Sequence, residues 1–194
     1  RNAGIISPMT RRWLMLLIKP ADLLLLLKER SRPGMPLPSP HLPPDVKIED
    51  AYYDEARESF VLVLASEWFD PVSVSKSRDG WRGSWNELVV EVSDSVVAPL
   101  PSIDFDAIPP PSEARWEAYF LRPADVLKLL ASEGDAPPLP PDVKLRGAHY
   151  DPDRTALVMF LESGFFAPAP QLRDAEGVRI TLPERWWGTA EARP

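Results

Sequence analysis

The chain of 194 residues contains no cysteine. Disulfides, thiol nucleophiles and thiolate-held metals are therefore excluded, and the composition suits a reducing compartment. Histidine is nearly as scarce, with two residues, His41 and His149. His41 falls in a proline loop and the two are far apart in the chain, so neither a metal centre nor a nucleophile–base pair is expected. The nine glycines are scattered. No phosphate loop, dinucleotide fingerprint or nucleophile elbow can be assembled from them. Long apolar runs are missing as well. Trp13–Ile18 and Leu23–Leu27 are separated by Lys19, Pro20 and Asp22, short of the ~18 uninterrupted apolar residues that span a bilayer. Positive charge is in deficit, 22 Lys and Arg against 29 Asp and Glu, for a net charge of −7. An acidic chain repels phosphate backbones, and the longest basic run of note is the pair Arg11-Arg12. Neither a nucleic-acid nor a membrane partner is expected, and no cofactor.

Proline is abundant. The 24 prolines are roughly twice the usual ~5 % share. They gather in Pro33–Pro44, Pro99–Pro111 and Pro137–Pro141, which reads as stiff connections.

The chain also repeats itself. Arg12-Trp13 followed by Lys19-Pro20-Ala21-Asp22-Leu23-Leu24 returns as Arg115-Trp116 followed by Arg122-Pro123-Ala124-Asp125-Val126-Leu127, an offset of 103 (Pro20 to Pro123). Leu42-Pro43-Pro44-Asp45-Val46-Lys47 returns as Leu139-Pro140-Pro141-Asp142-Val143-Lys144, an offset of 97 (Pro43 to Pro140). The offset of 97 persists through Tyr53-Asp54 and Tyr150-Asp151, Arg57 and Arg154, Ser66 and Ser163, Phe69 and Phe166, and Pro71 and Pro168, and is expected to reach Gly80 and Gly177. The six-residue change of offset (103 against 97) places an insertion within Ser31–His41 of the first copy.

Each copy reads as strand, helix, strand, strand. Trp13–Ile18 and Trp116–Leu121 are apolar-aromatic strands. Pro20 and Pro123 suit the first position of the following helix, where a missing N–H costs nothing. Asp22 and Asp125 then meet the exposed amides of its first turn. Leu23–Leu27 is apolar all round, so that helix must be covered by more than its own sheet. Val46–Tyr53 pairs with Phe60–Ser66, and Val143–Tyr150 with Ala156–Ser163. The returning strands are apolar on both faces, with Phe60, Leu62 and Leu64 opposite Val61 and Val63, as central strands are. A further strand at Leu88–Val92 closes the first copy, with Val178–Leu182 expected as its weaker counterpart. The expectation is an α+β protein of two tandem β-α-β-β modules with mainly antiparallel sheets, related by a pseudo-twofold axis. Its expected parts are a non-native or disordered leader at 1–8, a first repeat at 9–98, a proline-rich linker at 99–111 and a second repeat at 112–194.

The recurrent carboxylates Asp22/Asp125 and Asp54/Asp151 are expected at helix starts and turns. An acid–base pair drawn from them is the alternative and would make the chain a hydrolase. The aromatic pairs are the better candidates. Trp68-Phe69 and Phe165-Phe166 follow the central strands, and successive residues of an extended chain face opposite ways. One of each pair should be buried and the other free to bind. Trp81, Trp85, Trp186 and Trp187 complete the candidate ligand- or partner-binding set, since tryptophan is enriched where proteins bind.

The stretch Tyr150-Asp151-Pro152-Asp153-Arg154-Thr155-Ala156-Leu157-Val158, running on to Glu162-Ser163-Gly164-Phe165, with the preceding Pro123-Ala124-Asp125 helix, resembles a hairpin found in small uncharacterised proteins of bacteriophage genomes. Tyr53-Asp54-Glu55-Ala56-Arg57 shows the same pattern without the turn proline. The resemblance implies a phage or prophage origin and carries no catalytic residues. The expected function is that of a non-enzymatic binding protein in the bacterial cytoplasm, acting on a host protein or small molecule, with the cleft between modules as a natural site. A self-associating virion component is the alternative.

Overall fold

The computed structural model describes residues 9–30, 41–77, 80–92, 115–131, 139–168, 171–174, 177–180 and 182–187. The expected leader at 1–8, most of the proline loop of the first copy and the linker at 99–111 lie outside the described residues.

Strand β1 (Met9–Arg11) precedes β2 (Trp13–Ile18), whose end feeds helix α1 (Pro20–Arg30). The helix start is closed by the Leu23 amide donating to Lys19 O at 2.9 Å. Strands β3 (Lys47–Asp54) and β4 (Ser59–Ala65) form a hairpin, and β5 (Val72–Ser77), β6 (Gly80–Gly83) and β7 (Asn86–Val90) follow. The second half comprises β8 (Arg115–Leu121), α2 (Pro123–Leu130), β9 (Lys144–Asp151), β10 (Ala156–Ser163), β11 (Gln171–Asp174), β12 (Gly177–Ile180) and β13 (Glu184–Trp186). The architecture is α+β, rich in strand and mainly antiparallel.

Two four-stranded sheets carry the same order, β3-β4-β2-β7 and β9-β10-β8-β13. In both, the central strand is antiparallel to its neighbours, and the closing strand runs parallel to the strand beside it. Both first hairpins skip one residue at the same place, Glu49 in β3 and Arg146 in β9, a one-residue bulge that sharpens local twist. Both turn through a residue of positive φ, Glu58 and Thr155, each at 49°. A three-stranded sheet β1-β5-β6 and the hairpin β11-β12 complete the fold. Gly83 lets β6 approach β5: at its φ of 151°, an added Cβ would lie 2.2 Å from Ser73 O.

The closing strand of the second half differs from expectation. Val178–Leu182 is not the counterpart of β7. Gly177–Ile180 pairs with β11 instead, as β6 pairs with β5. The strand parallel to β8 is Glu184–Trp186, with Glu184 opposite Ala118 as Glu87 is opposite Met15. The offset of 97 carries Glu87 onto Glu184. The strand is hard to see because Leu88 and Val89 give way to Arg185 and Trp186.

One core joins the halves. Leu16, Ile18, Phe60, Leu62 and Leu64 belong to the same buried cluster as Tyr119, Leu121, Leu157, Met159 and Leu161. Helix α1 touches β9 and α2, while α2 touches β3, and β3 touches β9. This covers the all-apolar helix: Leu23, Leu24, Leu26 and Leu27 are buried. Lys28 Nζ donates across the junction to Val143 O at 3.1 Å. Where a cleft was expected, the described residues form apolar core. No helix among the described residues is long and apolar enough to cross a membrane.

Candidate functional site

After β4 the chain makes a tight turn, and two charged side chains hold it from outside. Ser66 is buried, and its hydroxyl donates to Asp45 Oδ1 at 2.6 Å. The Glu67 amide donates to Asp45 Oδ2 at 3.0 Å, and the Trp68 amide to Ser66 Oγ at 3.1 Å. The Phe69 amide closes the turn on Ser66 O at 3.2 Å. From the opposite side Arg12 Nη1 donates to Phe69 O at 2.8 Å and Glu67 O at 3.3 Å. Asn86 Nδ2 ties down Asp70 O at 3.2 Å. On this anchored turn Trp68 is 77 % exposed, the most exposed large apolar side chain described, whereas Phe69 packs against the core.

The same latch recurs after β10. Ser163 Oγ donates to Asp142 Oδ1 at 2.5 Å, the Gly164 amide to Asp142 Oδ2 at 2.9 Å, and Arg115 Nη1 to Phe166 O at 3.0 Å. Here Phe165 is only part-exposed and Phe166 is buried. The alternation of the two aromatic pairs follows from the shared turn; the protruding tryptophan belongs to the first half alone. Sequence reading passed over the latch residues Asp45, Ser66, Asp142 and Ser163. Their signal was present, since all four recur at the offset of 97.

The Ser66 hydroxyl and then the Glu67 amide hold the Asp45 carboxyl below its ordinary range. A carboxylate so depressed contributes fully above its unfolded pKa, and its contribution is lost as pH falls through the folded value. The latch should therefore open only in acid, below the ordinary aspartate range. Carboxyl-carbon NMR of Asp45, followed with Trp68 emission, should show both changing together there.

The other candidates lie elsewhere. Trp81 and Trp85 flank Trp13 on the outer face of β2, at 4.8 Å edge-to-face and 6.1 Å stacked. Trp81 Nε1 donates to Asp50 Oδ2 at 3.1 Å. With Val72 and Val74 they pack the three-stranded sheet onto the first four-stranded sheet. Trp186 stacks on Phe120 at 4.9 Å, with the Arg122 guanidinium 5.3 Å from its ring. Trp187 is buried in the core. The eight aromatics therefore form no single patch. Phe166 and Trp187 are interior residues that no partner at the surface can touch, because the turn and the sheet direct them inward.

Asp54 and Asp151 serve the hairpin turns. Asp54 Oδ1 accepts the Arg57 amide, and Asp151 Oδ1 accepts the Asp153 and Arg154 amides. Arg57 and Arg154 reach on to Glu87 and Glu184, each at 2.8 Å. These pairs are exposed and contribute little, and they join the closing strands to the hairpins. His149 is exposed and stacks on Phe160. Among the described residues no group of three His, Asp or Glu side chains is placed to hold a metal ion. Comparisons with protein-family models, curated proteins and solved structures gave no match.

Proposed function

We propose that this is a non-enzymatic binding protein whose contact element is the Trp68 turn. The observation that carries the reading is the combination of 77 % exposure with a backbone held on three sides. An exposed tryptophan on a mobile loop loses conformational freedom when it binds. On an anchored turn that cost is already met, so more of its apolar area becomes affinity. Tryptophans seated this way are typical interface anchors, which favours a protein partner over a small molecule. The resemblance of the Tyr150–Val158 hairpin to phage proteins makes a host protein the leading partner class and a phage accessory role the leading context.

We also read the chain as an internal duplication with a pseudo-twofold axis. The matching strand orders, bulges, turns and latches support this. So does the reciprocity of the junction, in which α1 meets β9 as α2 meets β3, the pattern a twofold interface produces.

Affinity capture from a bacterial lysate with the wild-type chain, Trp68→Ala and Phe165→Ala tests the reading. One protein should be retained by the wild type and by Phe165→Ala, and its retention should fall at least tenfold with Trp68→Ala. Equal retention by all three would remove Trp68 from the function. A self-associating virion component is the second reading, favoured by Val89, 53 % exposed on the edge strand β7. A strict monomer in sedimentation across a wide concentration range removes it.

A further inference from the structure

The two latched turns keep one frame and change what it displays. At the offset of 97, Asp45, Ser66, Phe69 and Pro71 return as Asp142, Ser163, Phe166 and Pro168. Arg12 has its counterpart in Arg115, and each donates to the carbonyl that ends its turn. The latch residues are thus kept. The positions set among them are all changed: Glu67 gives way to Gly164, Trp68 to Phe165 and Asp70 to Ala167. The second turn is an internal control. Its backbone closes without either carboxylate, so neither Glu67 nor Asp70 is required by the fold.

The turn brings the three changed side chains together. The Phe69 amide closes it on Ser66 O, so Glu67 and Trp68 take the two central positions of a four-residue turn. Asp70 follows Trp68 by two residues, within ~7 Å at Cα even in an extended chain. Glu67, Trp68 and Asp70 are all exposed. Among the described residues the Glu67 and Asp70 carboxylates make no hydrogen bond or ion pair. The cations beside them are already engaged. Arg12 donates to Glu67 O and Phe69 O, and Lys47 acts on Asp45. The turn therefore presents an open indole flanked by two unanswered negative charges.

We propose that the Trp68 turn binds a basic protein segment, with a lysine or arginine side chain laid on the indole and paired by Glu67 and Asp70. This rests on the reading of Trp68 as the contact element and names the chemistry of what it meets. An aromatic face attracts a cation. A carboxylate within the Debye length, about 8 Å at physiological salt, adds to that attraction. Both effects favour a partner of positive charge. The same charges weigh against other occupants. Anionic lipid, nucleic acid and a second copy of this chain, itself of net charge −7, would each bring negative charge against Glu67 and Asp70. A purely apolar pocket would desolvate both carboxylates at its rim without pairing either.

The test titrates the full chain with tetra-arginine and tetralysine amides, and with tetraglutamate as the contrasting arm. The readout is the indole N–H resonance of Trp68, assigned by its loss in Trp68→Phe. At least one cationic peptide should move that resonance to saturation, and tetraglutamate should not. The double variant Glu67→Gln/Asp70→Asn should weaken the binding about fivefold, the effect of two exposed ion pairs. Its thermal midpoint should stay at the wild-type value, because neither carboxylate holds the fold. Raising the salt from about 0.1 M to about 1 M shortens the Debye length from about 10 Å to about 3 Å. Binding should weaken with it in the wild type and much less in the double variant. The proposal is overturned if no cationic peptide moves the resonance, if tetraglutamate moves it as far, or if the double variant binds as the wild type does. It is equally overturned if the resonance shifts with protein concentration alone, which would make a second copy the occupant. The lysate capture separates this outcome from the reading beneath it. A protein lost with Trp68→Ala but kept by the double variant leaves Trp68 as the contact element and removes the basic partner. Retention unchanged by Trp68→Ala removes both.

Discussion

Leu62→Ala and Met159→Ala should each lower the free energy of unfolding by about 2–5 kcal/mol, the range for truncating a fully buried side chain. Both residues are 0 % exposed and sit mid-strand in the central strand of their sheets. Leu62 lies between Leu16 and Ala51, and Met159 between Tyr119 and Ala148. Neighbours on both sides are held by ladder hydrogen bonds, so neither cavity can collapse cheaply. Denaturant titration with an unchanged slope would attribute the loss to the folded state. Because both residues belong to one core, either substitution should move a single transition of the whole chain. A loss below 1 kcal/mol, or a transition that splits in two, would mean the cavity closes or the core is divided.

Much of this architecture was legible in the sequence. The burial of Phe60–Leu64 and Leu157–Leu161 on both faces, the prolines opening each helix and the all-apolar run Leu23–Leu27 follow from local rules, and the structure places them accordingly. The closing strand was misplaced because a three-residue strand carries almost no periodic signal. In β13 its apolar positions are also replaced by Arg185 and Trp186. Only the register with β8 identifies it.

The candidate site was legible in a different degree. That one aromatic of each pair should be buried followed from strand alternation; which one it is did not. How far Trp68 protrudes depends on the latch through Asp45 and Arg12, contacts between residues distant in sequence.

The largest effect should come from cutting the chain in the linker. Helix α1 has four of its five central leucines buried, and its cover comes in part from β9 and α2. Separating the halves would expose that helix and the matching surfaces of Leu129, Leu130, Leu139 and Val143, all members of the shared core. At about 25 cal/mol per Å² of apolar surface, such exposure rivals the whole ~5–15 kcal/mol that holds a domain together. The two halves close a single core. Equilibrium unfolding of fragments 9–98 and 112–194, alone and mixed, tests it most directly. Neither fragment alone should unfold cooperatively, and an equimolar mixture should recover one transition. Two fragments that each unfold cooperatively at the midpoint of the intact chain would contradict it.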